Sequence, residues 1–237
     1  MNFAPNVKAG QLVARRTPPT PGAAGKDVKG KPLPANEGQD RSLQAGDNVG
    51  AEMEGKMEQF YATSDGALRS SNDELFVVER LTIKGDVSFN TGNLDFEGEI
   101  YVDGSVVQGF SVKAGGAITI ADTVESGATV ASQEDITVGK GIVGRRTKIV
   151  AGGNVRAQFV QEATVRTGKD IVLGNYAYHA HLRAGGRIAV FRGIGTRGGS
   201  IMGGQSWARQ GMETHIAGTR TGTPTTLTAG LDPEQAQ

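Results

Sequence analysis

Apolar residues recur along this chain with one characteristic spacing, which three glycine-containing stretches make visible. The stretches are VKAGGAITI (112–120), IVAGGNVRA (149–157) and LRAGGRIAV (182–190). In each stretch an apolar residue is followed six and eight positions later by two more, with a Gly-Gly pair between them. The same spacing starts at eight positions: Leu81, Leu94, Val112, Val130, Ile149, Val165, Leu182 and Ile201.

This spacing predicts short strands joined by corners rather than helices. The residues six and eight positions after a start differ by two, so their side chains point to the same side of a strand. A helix would need apolar residues three and four positions apart and would be destabilised by the Gly-Gly pairs. We expect each pair to mark a corner, where glycine adopts a positive φ at little cost.

Repeats of this length cannot bury their own apolar face and must stack on one another. We therefore predict an all-β protein with a right-handed parallel β-helix (β-solenoid) of about eight coils, about 38 Å long at ~4.8 Å per coil. One buried row should contain Ile118, Ile136, Ile171 and Ile188. A left-handed form stays open, because apolar residues also recur every six positions between residues 112 and 142.

The same count assigns the two ends of the solenoid. Val87 and Trp207 take the sixth position of the first and last repeats, and Phe89 and Arg209 take the eighth. The charged side chain in an otherwise apolar row indicates that the stack ends near Arg209, since terminal coils must be atypical to avoid aggregation.

Residues 1–80 do not follow the repeat and predict a separate small β-rich domain. The stretch from 10 to 34 is dense in Pro and Gly, which favours short strands and turns. Asp65–Gly66, between two strand-like runs, is a typical hairpin signal. We predict a β-rich domain over 1–80 that caps or packs against the first coil, a parallel solenoid over 81–230 and a disordered tail over 231–237.

Composition limits the chemistry that the chain can perform. Gly accounts for 36 of 237 residues and aromatic residues for only 5%, so small aliphatic side chains must fill the core. The absence of Cys excludes disulfides and thiolate metal sites. The N-terminus lacks the apolar segment of a signal peptide, and no apolar run approaches the ~18 residues of a membrane helix.

Several long stretches resemble the flagellar assembly protein A (FapA) family. They are GQLVARRTPPTPGAAGKDVKGKPLP, YATSDGAL, LTIKGDVSFNTGNLDFEGEIYVDGSVVQGFSVKAGG, AGGNVRAQFVQEATVRTGKDIVLGNYAYHAHLRAGGRIAV and IAGTRTGTPTTLTAGLDPE. The segment GDVSFNTGNLDFEG is the most specific of these. The resemblance implies a right-handed β-helix preceded by a small β-rich domain, a cytoplasmic bacterial role in flagellar assembly or placement, and no catalytic residues.

The favoured hypothesis is a non-enzymatic structural or adaptor protein that binds other proteins, with no nucleic-acid partner and no membrane insertion. Two alternatives stay open. One is a polymer-forming solenoid similar to bactofilins or to the C-terminal domain of MinC, in which acidic and basic halves stack head to tail. The other is a β-helix enzyme, an acyltransferase or a lyase.

Charge is distributed unevenly, although the net charge is zero. Residues 1–140 carry 13 basic and 20 acidic residues, a net of −7, whereas residues 141–237 carry 12 and 5, a net of +7. Arginine forks match carboxylates in two-point contacts. We predict that the second half docks an acidic protein surface, either a partner or another copy. The alternative is a solvated surface that confers only solubility.

The candidate protein-binding residues are Arg145, Arg146, Arg166, Arg183, Arg187, Arg192 and Arg197. Since a solenoid converts sequence position into height, they should gather over its C-terminal half. Lys113, Arg166 and Arg183 each follow a repeat start by one residue and should align.

Other motifs give weaker signals. His179 and His181 would lie about 7 Å apart on one strand face, but we predict no metal site because no acidic cluster is nearby in sequence. GKGIVGRRT (139–147) departs from a phosphate-binding loop, since Arg145 replaces its Lys. FRGIGTRGGSIMGG (191–204) keeps the solenoid spacing, which favours a wide turn over an RNA-binding segment.

Carboxylates follow four repeat starts by five residues, at Asp86, Glu99, Asp135 and Asp170. Stacked carboxylates repel one another unless a cation lies between them. Other repeats carry non-acidic residues at this position, so we expect an interrupted row. No nucleophile–base pair stands out in the sequence, and we predict neither an enzyme nor a cofactor.

Overall fold

A computed structural model describes residues 5–191, 199–220 and 222–230. Within these ranges every regular element is a β-strand. The contacts divide the chain into two units, residues 2–79 and 80–237. No helix long and apolar enough to traverse a lipid bilayer occurs in the described ranges.

Residues 5–79 form short strands in three sheets. The strands are β1 Asn6–Val7, β2 Leu12–Arg16, β3 Gly25–Lys26, β4 Pro32–Leu33, β5 Gln44–Ala45, β6 Val49–Glu54, β7 Met57–Ala62, β8 Gly66–Ser71 and β9 Glu74–Val78. The sheet orders are β1-β8-β9-β5, β2-β7-β6 and β3-β4. One buried cluster forms the core, namely Val7, Val49, Phe60, Ala62, Leu75 and Val77.

The predicted hairpin at Asp65–Gly66 is wrong. Strand β7 pairs with β2 and β6, whereas β8 pairs with β1 and β9, so the chain crosses from one sheet to another there. The Asp65 carboxylate accepts a hydrogen bond from Ala9 N at 2.8 Å, which fixes this crossing. Tight hairpins form instead at Gly55–Lys56 and Asn72–Asp73. Gly55, Asn72 and Asp73 have the positive φ that such two-residue turns require.

Residues 80–229 form a parallel β-solenoid of about eight coils, which confirms the predicted fold class. Its strands are β10 Arg80–Ile83, β11 Leu94–Phe96, β12 Glu99–Val102, β13 Ser111–Ala114, β14 Ile118–Ile120, β15 Thr129–Ser132, β16 Ile136–Val138, β17 Gly141–Val143, β18 Lys148–Ala151, β19 Val155–Gln161, β20 Thr164–Thr167, β21 Ile171–Ala184, β22 Arg187–Val190, β23 Ser200–Ala208, β24 Gly211–Thr214, β25 Ile216–Ala217 and β26 Thr225–Ala229. The handedness stays a prediction.

Each coil contributes to three faces, and each face pairs in parallel with the same face of the next coil. Face 1 starts with β10 and β12, face 2 with single bridges between residues 87, 106 and 124, and face 3 with β11 and β13. In later coils β19, β21 and β23 bend from one face into the next. We number the coils 1 to 8 by their described residues: 80–96, 99–114, 117–132, 135–151, 154–167, 170–184, 187–191 with 199–208, and 211–220 with 222–229.

The inward side chains form rows along the solenoid, as the spacing predicted. Ile118, Ile136, Ile171 and Ile188 lie in one row on face 1, with Val155 between Ile136 and Ile171. All five side chains are buried. Burying each aliphatic side chain contributes about 1.5–3 kcal/mol, so the row stabilises every interface between coils.

The first repeat was assigned to the wrong face. Leu81 pairs with Ile100 on face 1, and Val87 forms its bridge on face 2. The 13 residues from Leu81 to Leu94 are therefore the path from face 1 to face 3 within one coil, not one full repeat. Phe89 falls in the turn between faces and is 95% exposed, so its predicted inward position is wrong.

The last repeat is shifted in the same way. Ile201 pairs with Ala177 on face 2, and Trp207 pairs with Arg183 on the outer side of face 3. Trp207 is therefore not a member of the inward row to which the count assigned it. Arg209 lies exposed at a corner, and coil 8 continues beyond it to residue 229. The end of the stack that Arg209 indicated is thus one coil too early.

The Gly-Gly pairs lie at the corners between face 3 and face 1, as predicted, but they do not adopt positive φ. A Cβ atom at Gly152 would lie 2.1 Å from Gln133 O of the preceding coil. A Cβ atom at Gly153 would lie 2.1 Å from Asp135 Oδ1. Glycine is needed there because the neighbouring coil approaches too closely for any side chain.

Candidate functional site: a basic and aromatic face

Four residues stack on the outer side of face 3 in coils 4 to 7. They are Val150, Arg166, Arg183 and Trp207, each the register partner of the next. We call them the arginine–tryptophan row; at ~4.8 Å between neighbouring strands it spans about 14 Å. The predicted alignment of Arg166 and Arg183 is confirmed, and Lys113 lies on the same line of register in coil 2, three coils before Arg166.

A second outer row runs beside the first, two positions earlier on each strand. Its members are Lys148, Thr164, His181, Gln205 and Thr226. Between the two rows lies an open groove of about 320 Å³. The groove therefore combines guanidinium groups, hydroxyl and amide hydrogen-bonding groups, and the only Trp of the chain.

Arg183 is held in place by the tryptophan. Its guanidinium carbon lies 4.9 Å from the centroid of the Trp207 ring, the geometry of a cation–π contact. Such a contact contributes about 0.5–1 kcal/mol at an exposed site. Because the stack restricts the guanidinium plane, less side-chain entropy is lost when the fork binds a carboxylate.

Arg145 and Arg146 lie exposed at the corner between faces 2 and 3 in coil 4. Arg145 Nε is 3.3 Å from Glu162 Oε2 in the next coil. Exposed ion pairs of this kind contribute about 0–1 kcal/mol. Arg145 and Glu162 line a second cavity of about 390 Å³ with His179 and His181, so the basic surface continues from face 3 around this corner.

The sequence predicted that the two histidines lie on one face of a regular strand, and the structure does not place them so. His179 has a φ of +49° where β21 bends from face 2 to face 3, and His181 begins face 3 and is exposed. The His179 ring also packs edge-on against Tyr178, with centroids 4.3 Å apart. In the part of the chain that the structure describes, no group of three or more His, Asp or Glu side chains is placed to hold a metal ion.

Of the remaining predicted arginines, the structure describes only Arg187, which does not join this groove. Arg187 follows the Gly185–Gly186 corner and begins face 1, where its backbone N donates a hydrogen bond to Asp170 Oδ1 at 2.7 Å. Arg192 and Arg197 lie outside the described residues, as does half of the wide turn predicted between 191 and 204.

Asp135, Asn154 and Asp170 form a ladder at the corner before face 1. Asp135 Oδ1 accepts a hydrogen bond from Asn154 N (2.7 Å), and Asn154 Oδ1 accepts one from Asp170 N (3.2 Å). The Asn154 backbone N–H, and then the side chains of Asn154 and Arg156, hold the pKa of Asp135 below its ordinary value against the opposing effect of partial burial. Asp86 lies at a different corner, so the carboxylate row is interrupted.

The stretch that resembles a phosphate-binding loop continues into strand β18 rather than a helix. The hydroxyl of Thr147 is buried and donates to Val143 O at 2.6 Å. The stretch therefore lacks the helix N-terminus with which such loops bind phosphate, and its threonine stabilises a corner.

Sequence reasoning missed Trp207 as a member of the outer surface. A usable signal exists in the corners: RAGGRI (183–188) aligned with WARQGM (207–212) pairs Ala184 with Ala208 and Ile188 with Met212. That alignment is the observed register, and it places Trp207 directly beside Arg183. The count of six and eight positions failed because it started from Ile201, which belongs to face 2.

The fold and this surface define a parallel β-solenoid protein with chemically distinctive side chains on an open sheet face. The family model described as Flagellar Assembly Protein A beta solenoid domain matches residues 79–237, and the model for the N-terminal region of the same protein matches residues 1–73. The chain therefore belongs to the FapA family and is related to flagellar assembly, which confirms the resemblance found in the sequence. No curated protein and no solved structure matches it.

Proposed function

We propose that the chain is a non-enzymatic adaptor of bacterial flagellar assembly or placement, acting in the cytoplasm by docking a protein partner through face 3. The partner presents an acidic surface, and the arginine–tryptophan row is the docking site. The family supports the assembly role, because its description names an assembly protein and no reaction.

The observation that carries the docking site is the direct stacking of Arg166, Arg183 and Trp207 on one open face. Arginine and tryptophan are among the residues most enriched at energetically dominant interface positions. Charge also attracts the partner to this face. Coils 4 to 7 present a cationic face 3, and an acidic surface is attracted to it over about one Debye length, ~10 Å at 0.1 M salt.

The test is charge reversal in a flagellated bacterium that carries this chain. Cells in which Arg166→Glu and Arg183→Glu are combined should have flagella reduced in number or misplaced, because both forks then repel the partner. Arg187→Glu is the control: it reverses one arginine around the corner on face 1, half the charge change of the double variant, and should leave flagella normal.

Circular dichroism melting should show that both variants fold as the wild type does. Normal flagella with the double reversal would contradict the docking site. In parallel, light scattering across a salt series tests whether the acidic surface belongs to a second copy: salt-sensitive assembly of the purified chain, lost in the double reversal, would favour the polymer-forming alternative.

A further inference from the structure

We infer that the ligand of the arginine–tryptophan row is an amphipathic acidic α-helix of the partner, lying parallel to the solenoid axis across the strands of face 3. This inference rests on the proposed function and specifies the shape of the partner. It follows from the order of side chains in the row and from the spacing of the coils.

The row reads apolar, basic, basic, aromatic along the axis. Val150 is 48% exposed at one end, Arg166 and Arg183 follow, and Trp207 closes the other end. A complementary ligand therefore carries an apolar residue, two carboxylates and a second apolar residue in that order. Arginine pairs with carboxylate in a two-point contact, and tryptophan provides the apolar anchor surface.

The spacing of the row matches a helix. Neighbouring coils are ~4.8 Å apart, so the three steps from Val150 to Trp207 cover about 14 Å. A helix rises 1.5 Å per residue, and its positions i, i+3, i+7 and i+10 lie on one side over about 15 Å. An apolar residue at i and i+10 and acidic residues at i+3 and i+7 thus meet the four members of the row.

An extended peptide matches the row poorly. Its side chains point to one side every second residue, about 6.6–6.8 Å apart, so carboxylates soon fall out of phase with coils ~4.8 Å apart. Adding a strand by backbone pairing is also excluded on face 3 of coils 5 and 6, because the strands there already pair with the coil on each side. The side chains of the face, not its backbone, must hold the ligand.

The second outer row suits the flank of such a helix. Thr164 and His181 lie beside the two arginines and Gln205 lies beside Trp207, and all three supply hydrogen-bonding groups. The groove of about 320 Å³ accommodates the apolar side chain that packs against Trp207, rather than a whole helix. Surface complementarity thus comes from one anchor, two ion pairs and a polar edge.

The experiment uses the full chain and synthetic peptides that differ either in the placement of the two Glu or in the ability to form a helix. The probe is an 18-residue peptide with a hydrocarbon staple on the far side, Leu at i and i+10 and Glu at i+3 and i+7, with Ala and Gln elsewhere. One comparison peptide has the same composition with the two Glu moved to the opposite side of the stapled helix. Another is unstapled and contains a central Pro, which prevents helix formation.

Binding is read from the fluorescence of Trp207, the only Trp in the chain, and from the anisotropy of a dye on the peptide. The stapled probe should bind at least about tenfold more tightly than either comparison peptide, and Arg166→Gln or Arg183→Gln should weaken it by about tenfold. Arg187→Gln should leave the affinity unchanged.

Each result distinguishes the inference from the proposed function. If the helical and Pro-containing peptides bind equally and binding still depends on the arginines, the inference of a helical ligand is wrong. The proposed docking site for an acidic partner then stands. If single-stranded DNA of equal charge binds more tightly than the stapled probe, the inference of a helical ligand is wrong as well. Failure of every acidic probe to bind or to change Trp207 fluorescence overturns both the inference and the docking site.

Discussion

Residues 5–79 pack several short strands around one cluster that includes Phe60, whereas the solenoid distributes its core over rows that repeat coil by coil. In the first unit, strands far apart in sequence meet in mixed and antiparallel sheets, such as β2 with β7 and β1 with β8. In the second, every coil pairs with the next one in parallel. Loss of one side chain should therefore affect the whole core of the first unit, but mainly neighbouring coils in the second.

The largest expected effect is that of a charge placed in a solenoid row. Ile136→Asp buries an unpaired carboxylate between Ile118 and Val155, and should cost more than about 4 kcal/mol and open several coils. Amide hydrogen exchange should show lost protection greatest in coils 3 to 5. Thr137→Asp, one residue on and facing outward, is the control and should change stability by about 0.5 kcal/mol or less. A wild-type melting curve for Ile136→Asp would contradict the assigned register.

The next effect concerns the cluster of the first unit. Phe60 is fully buried, and Phe60→Ala should cost about 3–5 kcal/mol because it removes an aromatic side chain and leaves a cavity. Limited proteolysis should then cleave residues 5–79 while coils 3 to 6 stay protected. Val28→Ala, at a fully exposed position, should resist cleavage like the wild type. Cleavage spreading equally into the central coils would refute the contrast between the two cores.

A smaller effect is expected for the corner ladder and depends on pH. Because the pKa of Asp135 is lowered in the folded chain, its ionised carboxylate stabilises the fold above the ordinary value near 3.8, and this contribution is lost as the pH falls further. Asp135→Asn should cost about 1 kcal/mol at pH 6, reduced by solvent since the side chain is 37% exposed. Chemical denaturation at pH 6 and pH 3 measures the difference, which should shrink at the lower pH. A difference that grows towards pH 3 would have the wrong sign.

The smallest effect is predicted at Phe89, which the spacing of apolar residues places in the same row as Val102. Val102 is fully buried and Phe89 is 95% exposed, with its ring edge-on to Phe110 at 5.3 Å. Phe89→Ser should change stability by about 0.5 kcal/mol or less, whereas Val102→Ser should cost about 2–3 kcal/mol. Thermal melting of the two variants compares them directly, and equal losses would restore the rejected inward position of Phe89.

Much of the solenoid could be predicted because its cause is local. Alternation along a strand places Ile118 and Ile120 on one side, and a stack of such strands must place Ile118 beside Ile136. The alignment of Arg166 with Arg183 follows from the same argument. The groove could be predicted only in part. Trp207 was assigned to an inward row, and Arg187 was grouped with Arg183, although the Gly185–Gly186 corner separates the two.

The sequence by itself determined that residues 81–230 stack as parallel coils, because the apolar spacing and the glycine pairs are incompatible with a helix and typical of short stacked strands. Only the tertiary structure decided which face each end of the repeat belongs to, because turns of different length join the faces and the pairing with the next coil sets the register. The tertiary structure also explains why the corner glycines are needed. A Cβ atom at Gly152 would clash with the carbonyl oxygen of Gln133, a residue of the preceding turn that lies far away in sequence. Alternation is a property of one strand, whereas the place of a strand in the solenoid is a property of its neighbours.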